Sequence, residues 1–73
     1  MEELLYTVEE VSRILKSNQT YVHKLLNNGL IPYLVLGRRK IRKQALDEFL
    51  RKYEGYDLSN PEDIKKIRED GVA

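Results

Sequence analysis

The chain has 73 residues, no cysteine and a formal net charge of +1. A chain of this size is expected to form one small domain that buries only about 60% of the surface its unfolded form exposes, and without cysteine neither a disulfide nor a thiolate metal site can reinforce it. No apolar run approaches the ~18 residues of a membrane span and the N-terminus has the wrong charge for a signal peptide, so we expect no membrane association and a cytoplasmic location.

The charged residues are unevenly distributed along the chain. Residues 1–53 contain ten Lys and Arg against six Asp and Glu, whereas residues 54–73 contain three against six. The 28 residues from Lys16 to Lys43 contain seven Lys and Arg and no acidic residue. A field of one sign over such a stretch attracts nucleic acid or an acidic protein surface. The sequence therefore predicts a basic domain over residues 1–54 and an acidic tail over residues 55–73.

Two short helices are predicted in the first part of the chain. In TVEEVSRILK, Thr7 and Glu10 match the capping-box pattern and apolar residues recur at helical spacing, which predicts a helix over roughly residues 8–16. In NQTYVHKLLNNGL, Asn18 is a preferred N-cap and Gly29 is a stop signal, which predicts a second helix between them. The two helices are separated by a very short turn.

A basic hairpin is predicted after the second helix. The run IPYLVLGRRKIR predicts two short strands, with Pro32 at the opening of the first and Gly37 supplying the permissive dihedral angles of the reversal. Period-two alternation predicts that Leu34, Leu36 and Ile41 share the buried face. The alternatives for the charged stretch GRRKIRK are a solvated loop or a targeting tag, but the flanking apolar residues favour a structured hairpin.

A third helix and a fourth, shorter one are predicted in the last part of the chain. KQALDEFLRKY has the apolar spacing of a helix that closes the core. In the acidic tail, Ser59 or Asn60 as cap and Pro61 at the first helical position predict a short helix. Two interpretations of residues 56–69 stay open, since they could dock on the domain or recruit a partner protein.

The sequence contains no recognisable catalytic constellation. A hydrolytic triad, a paired-carboxylate site and a phosphate-cradling glycine loop all lack their residues at suitable positions. His23 is the only histidine, and on a polar helical face a lone histidine is more typical of a surface or base-contacting side chain than of a metal ligand. We therefore expect a binding protein that is not an enzyme and uses no metal or cofactor.

The order of the predicted elements is that of a winged helix-turn-helix domain, mainly α with a small β-hairpin. The run from Leu5 to Leu50 resembles the excisionase-type DNA-binding domains, relatives of the MerR-like winged helix-turn-helix group. The most specific parts are TVEEVSRIL, the Val22-to-Gly29 spacing, Pro32, and Gly37-Arg38-Arg39 leading into Ile41-Arg42. The chain departs from the family in the turn between the first two helices, where Lys16-Ser17 replaces the usual glycine and apolar residue.

The resemblance implies that the second helix enters a major groove of duplex DNA while the hairpin, the wing, follows the backbone towards the neighbouring minor groove. The side chains agree, because Gln19 can pair with adenine, Thr20 can contact thymine, and Lys24 can reach guanine or a phosphate. The wing cations suit phosphate contacts, and Lys16 is a further candidate. The expected DNA-contacting residues are Asn18, Gln19, Thr20, Tyr21, His23, Lys24 and Asn27 on the helix, and Gly37, Arg38, Arg39, Lys40, Arg42 and Lys43 on the wing.

The resemblance also implies an excisionase function, in which a nucleoid-associated architectural factor bends attachment-site DNA and assists a partner integrase. A monomer in solution that binds beside neighbouring copies on DNA is the expected assembly. Two alternatives stay open at this point. One is a small transcriptional regulator that uses the same DNA-binding surface, and the other is an adaptor whose basic face meets an acidic protein.

Overall fold

The computed structural model of the protein describes residues 4–67. The elements, in chain order, are β1 (Leu5–Thr7), α1 (Val8–Ile14), α2 (Gln19–Asn27), β2 (Leu34–Leu36), β3 (Arg38–Arg42), α3 (Lys43–Lys52), β4 (Tyr56–Asp57) and β5 (Lys65–Lys66). Strands β1, β3 and β2 form an antiparallel sheet with β3 in the middle, and β4 pairs with β5 in a second, two-stranded sheet. The predicted winged helix-turn-helix architecture is confirmed, with β2 and β3 as the wing.

Local capping determines where the first two helices begin. The Thr7 hydroxyl accepts a hydrogen bond from the Glu10 backbone N–H at 3.1 Å, and the Glu10 carboxylate accepts one from the Thr7 N–H at 2.9 Å. The Asn18 side chain accepts from the Tyr21 N–H at 2.8 Å. Each bond satisfies a donor that the first turn of a helix leaves without a partner. The predicted starts of both helices are therefore confirmed.

The turn between α1 and α2 contains a strained residue. Lys16 has a φ of +57° and is the only described residue other than glycine with a positive φ. This is the left-handed region, where a side chain costs about 1–2 kcal/mol relative to glycine. Lysine therefore adopts at this turn a backbone conformation that glycine adopts without steric cost.

The core lies between the helical pair, the central strand and α3. Its most completely buried side chains are Val11, Val22, Leu25, Ile31 and Ile41, each with 0% exposure. Apolar residues of α3 close the core from the other side, namely Ala45, Leu46 and Phe49. Because Ile41 lies in β3, the wing is attached directly to the core through its inner strand.

The prediction that Leu34, Leu36 and Ile41 share a buried face is wrong. In the wing, Leu36 pairs with Arg38 and Leu34 with Lys40. Residues directly opposite each other in an antiparallel pair point to the same face. The turn at Gly37 consists of one residue, so even-numbered positions of the wing share one face, whereas Ile41 lies on the other. Leu34 and Leu36 are consequently 41% and 57% exposed, while Ile41 is fully buried.

The prediction of a helix that begins at Pro61 is also wrong within the described residues. One hydrogen-bonded turn forms, with the Asp63 N–H donating to the Asn60 carbonyl at 2.9 Å. The chain then becomes extended in β5, where Lys66 pairs with Tyr56 and Lys65 with Asp57. The part of the tail from residue 68 onward lies outside the described residues.

Candidate nucleic-acid interface

The α2 helix and the wing border one shared groove. Its lining includes Gln19 and His23 from α2 and three consecutive cations from β3, which are Arg38, Arg39 and Lys40. The start of α1 completes the border with Thr7, Val8 and Glu9. The Glu9 carboxylate is paired with Arg13 of the same helix, so its charge is partly offset. The groove thus combines side chains predicted on the helix with side chains predicted on the wing.

The wing is positioned by pairing on one side and by the core on the other. Strand β3 pairs with β1 through Tyr6 opposite Ile41 and Thr7 opposite Lys40. At the tip, Gly37 has a φ of +79°, which a residue with a Cβ rarely adopts. Arg38 follows this turn directly and is exposed. The positive φ of Gly37 confirms its predicted role in the reversal.

Arg39 contacts α2 directly. One guanidinium nitrogen lies 3.1 Å from Nδ1 of His23, and the other donates to the Asn27 side-chain oxygen at 2.8 Å. The same guanidinium lies 4.9 Å from the centre of the Tyr33 ring. Arg39 is half-buried, unlike Arg38. Arg39 therefore makes hydrogen bonds to two other residues predicted to contact DNA, His23 and Asn27.

The C-terminal segment lies against the first turns of α2, where it contacts Tyr21. The Tyr21 hydroxyl donates to the Leu58 carbonyl, and the side chains of both residues pack against the core. Pro61 is buried. Together with Ser59, Asn60 and Pro61, residues near the start of α2 line a second groove, namely Asn18, Thr20, Tyr21 and Lys24. The described part of the tail therefore docks on the domain, which is one of the two interpretations that the sequence left open.

Two groups at this junction have shifted pKa values. Burial, followed by the nearby Asp57 carboxylate, raises the pKa of Tyr21 above its ordinary value. Hydrogen bonds from Ser59 lower the pKa of Asp57. These bonds come from the Ser59 hydroxyl at 2.6 Å and from its backbone N–H at 3.0 Å. The junction therefore favours a neutral tyrosine beside an ionised aspartate.

Three of the predicted contact residues outside α2 lie away from the groove between α2 and the wing. Arg42 is at the far end of β3, about 13 Å of strand from Arg38, and it donates to the Gln44 side chain at 3.1 Å. Arg42 and Lys43 line a separate apolar groove together with Leu4, Leu5, Leu34, Leu36, Gln44 and Asp47. Lys16 lies in the exposed turn between the helices. The structure thus separates the predicted cations into a wing-tip group and outlying ones.

Sequence reasoning missed two features of the site. The first is the contact between Tyr33 and the guanidinium of Arg39. Tyr33 lies two residues before Val35, which pairs with Arg39, and diagonal neighbours across a strand pair are within reach of long side chains. The contact could be predicted only if this strand pairing were already known. The second is the docking of Leu58 on Tyr21. A single leucine in an acidic tail gives no periodic pattern, so no sequence signal predicted that contact.

Neither a metal-binding cluster nor a membrane-spanning helix is found within residues 4–67. Among residues 4–67, no group of three or more His, Cys, Asp and Glu side chains could hold a metal ion. Over the same range, none of the helices is long and apolar enough to cross a bilayer. The groove between α2 and the wing is the candidate functional site because it gathers three cations beside polar side chains of α2.

A small helical domain with a wing and a cationic groove beside its second helix defines the class of DNA-binding helix-turn-helix proteins. A family model described as a helix-turn-helix domain matches residues 5–53, more than half of the chain. The chain belongs to this family, and membership supports DNA as its partner. Comparisons with curated proteins and with solved structures gave no match.

Proposed function

We propose that this protein binds double-stranded DNA through α2 and the wing, and that it acts as an excisionase-type architectural factor in site-specific recombination of a mobile element. The observation that carries the DNA-binding part is the groove in which Gln19 and His23 lie beside Arg38, Arg39 and Lys40. Such a groove can accept a phosphate backbone at the wing while the helix reaches base edges. The proposal assigns binding and no catalytic step.

The contacts divide into positioning and reading. Arg38 and Lys40 at the wing meet phosphates, because most protein–DNA hydrogen bonds go to phosphate and sugar and set orientation without reading sequence. Gln19, Thr20 and Lys24 near the start of α2 contact base edges, as the first residues of a recognition helix do. Lys16, Arg42 and Lys43 add phosphate contacts outside the groove.

Salt titration with a duplex tests DNA binding. If four to six phosphates are neutralised per monomer, log K should fall against log salt with a slope of roughly −4 to −5. Arg38→Ala should weaken binding to all duplexes alike and make the slope less negative by about one. Gln19→Ala should instead reduce the preference among sequences. A flat salt response, or no duplex binding, contradicts the proposal.

The excisionase part makes a separate prediction about DNA shape and partners. An architectural factor should bend its site, which circularly permuted duplexes reveal as position-dependent gel mobility. It should also raise excision by an integrase encoded beside it in a reconstituted reaction. A straight complex together with no effect on excision favours the transcriptional regulator with the same surface. Tight binding to an acidic protein and none to duplex favours the adaptor.

A further inference from the structure

We propose that Arg39 is a positioning residue that joins the wing to the recognition helix, rather than a phosphate contact. The proposal rests on the DNA-binding function above and changes the role of one residue within it. In this role Arg39 fixes how far the wing tip stands from α2. It thereby sets the spacing between the part of the protein that reads bases and the part that holds the backbone.

The strand alternation separates Arg39 from its cationic neighbours. Arg38 pairs with Leu36 and Lys40 with Leu34, so both point to the face of the wing that carries these two leucines. Arg39 shares the other face with Ile41, which is fully buried. The side chain of Arg39 therefore starts from the face that carries Ile41 and reaches α2, whereas Arg38 and Lys40 start from the opposite face.

The guanidinium of Arg39 uses its geometry in a way that lysine could not. Its two terminal nitrogens reach His23 and Asn27, which are one helical turn apart on α2, at 3.1 Å and 2.8 Å. Its plane also lies near the Tyr33 ring, at 4.9 Å from the centroid. A planar fork with fixed donors suits such simultaneous contacts, whereas an ammonium is a single point charge on a flexible stem. The two hydrogen bonds to α2 restrain the wing relative to the helix, and the Tyr33 ring helps to orient the guanidinium.

The same contact determines what His23 offers to a ligand. Arginine can only donate hydrogen bonds, so a hydrogen bond at this contact requires Nδ1 of His23 to accept and the ring proton to lie on Nε2. The Nε2–H group is then a donor in the groove that Gln19 also lines. Guanine N7 and O6 and thymine O4 are acceptors in the major groove. Arg39 thus selects the hydrogen-bonding character of His23 as well as its position.

Salt dependence distinguishes a positioning arginine from a phosphate contact. Each neutralised phosphate contributes about 0.9 to the slope of log K against log salt for B-DNA. Arg38→Gln, which removes a phosphate contact, should reduce the slope by about that amount. Arg39→Gln should weaken binding roughly ten-fold and leave the slope unchanged. Equal reductions in slope for the two variants overturn the proposal.

A conservative pair of variants tests the geometry separately from the charge. Arg39→Lys keeps the charge but loses the fork, so it should bind duplex as weakly as Arg39→Gln. Arg51→Lys, at an exposed arginine of α3 outside the groove, is the matched control and should stay within about two-fold of the wild type. If Arg39→Lys restores wild-type affinity, Arg39 acts through its charge and the proposal fails.

A measurement on the free protein keeps this inference distinct from the proposed function. The ¹⁵N shifts of the His23 ring should show the Nε2–H tautomer in the wild type and a mixture of tautomers in Arg39→Gln, with thermal melting confirming that the variant is folded. We call the hydrogen bonds from Arg39 to His23 and Asn27 the bridge. Unchanged ring shifts in Arg39→Gln would overturn the bridge whether or not DNA binds. Failure of the wild type to bind duplex overturns the proposed function but leaves the bridge to be judged by the ring shifts.

Discussion

Replacing Ile41 by valine tests the attachment of the wing to the core. Ile41 is fully buried in the central strand, and removing one buried methylene from such a site costs about 0.5–1.5 kcal/mol, with the cost rising when the cavity cannot collapse. Because pairing on both sides of β3 restrains collapse, we expect the upper part of that range. A domain of this length is typically stable by roughly 4–11 kcal/mol, so Ile41→Val should remain folded.

Leu36→Ala is the matched control from the same sheet. Leu36 is 57% exposed, so the substitution should change the free energy of unfolding by less than about 0.5 kcal/mol. Urea unfolding followed by circular dichroism measures both variants, and with a slope near 1 kcal/mol per molar the Ile41→Val midpoint should fall by about 1 M. A cost for Leu36→Ala equal to that for Ile41→Val would refute the observed strand register.

The remaining predictions concern the inter-helix turn, the C-terminal junction and the first cap. Lys16→Gly should raise the free energy of unfolding by up to about 1 kcal/mol in thermal unfolding, because glycine adopts the left-handed backbone conformation without the steric cost that lysine has. A loss of stability would contradict that cost. Since the pKa of Tyr21 is raised in the folded state, stability should fall as pH rises above about 10; Tyr21→Phe should flatten that fall in alkaline melts. Since the pKa of Asp57 is lowered, its contribution should be present above about pH 4 and be lost as pH falls through the lowered value; Asp57→Asn should remove this dependence in acid titrations. Thr7→Ala should cost about 1 kcal/mol in urea unfolding, and no change would contradict the role of the capping box.

The sequence predicted well those features that depend on a few neighbouring residues. Thr7 with Glu10, Asn18 with the amide of Tyr21, and Gly37 at the tip all act over three residues or fewer. Their chemistry is therefore visible without knowledge of the rest of the fold. The order of the helices and the wing followed from these signals.

The features that the sequence did not predict depend on which face of a strand alternate residues occupy, or on contacts between residues distant in the chain. The buried face of the wing changes with a one-residue difference in turn length, so pairing Leu36 with Arg38 reversed the expected position of the leucines. Strand β1 has three residues, which are too few to show the period-two pattern of a strand, so the sequence did not predict it. The start signals around Pro61 produced only one turn, because the chain after it pairs with β4 and has few apolar residues to stabilise a helix.

The arrangement of the candidate site was predicted in part for the same reasons. The residue types on α2 and the wing were visible in the sequence, and the structure brings Gln19 and His23 beside Arg38 and Lys40. The bonds from Arg39 to His23 and Asn27 join residues that are 16 and 12 positions apart. No local pattern encodes contacts at that separation, so the bridge was found only in the folded structure.

The most direct test of the central claim is a ¹H–¹⁵N NMR titration of the full chain with a short mixed-sequence duplex. The account predicts that the largest shift changes fall on residues 18–27 and 37–40, the helix and wing tip that border the groove. Residues 47–52 of α3, which lie outside that groove, should change little. Shift changes concentrated in α3, or absent at low salt, would contradict the claim that α2 and the wing form the DNA-binding surface.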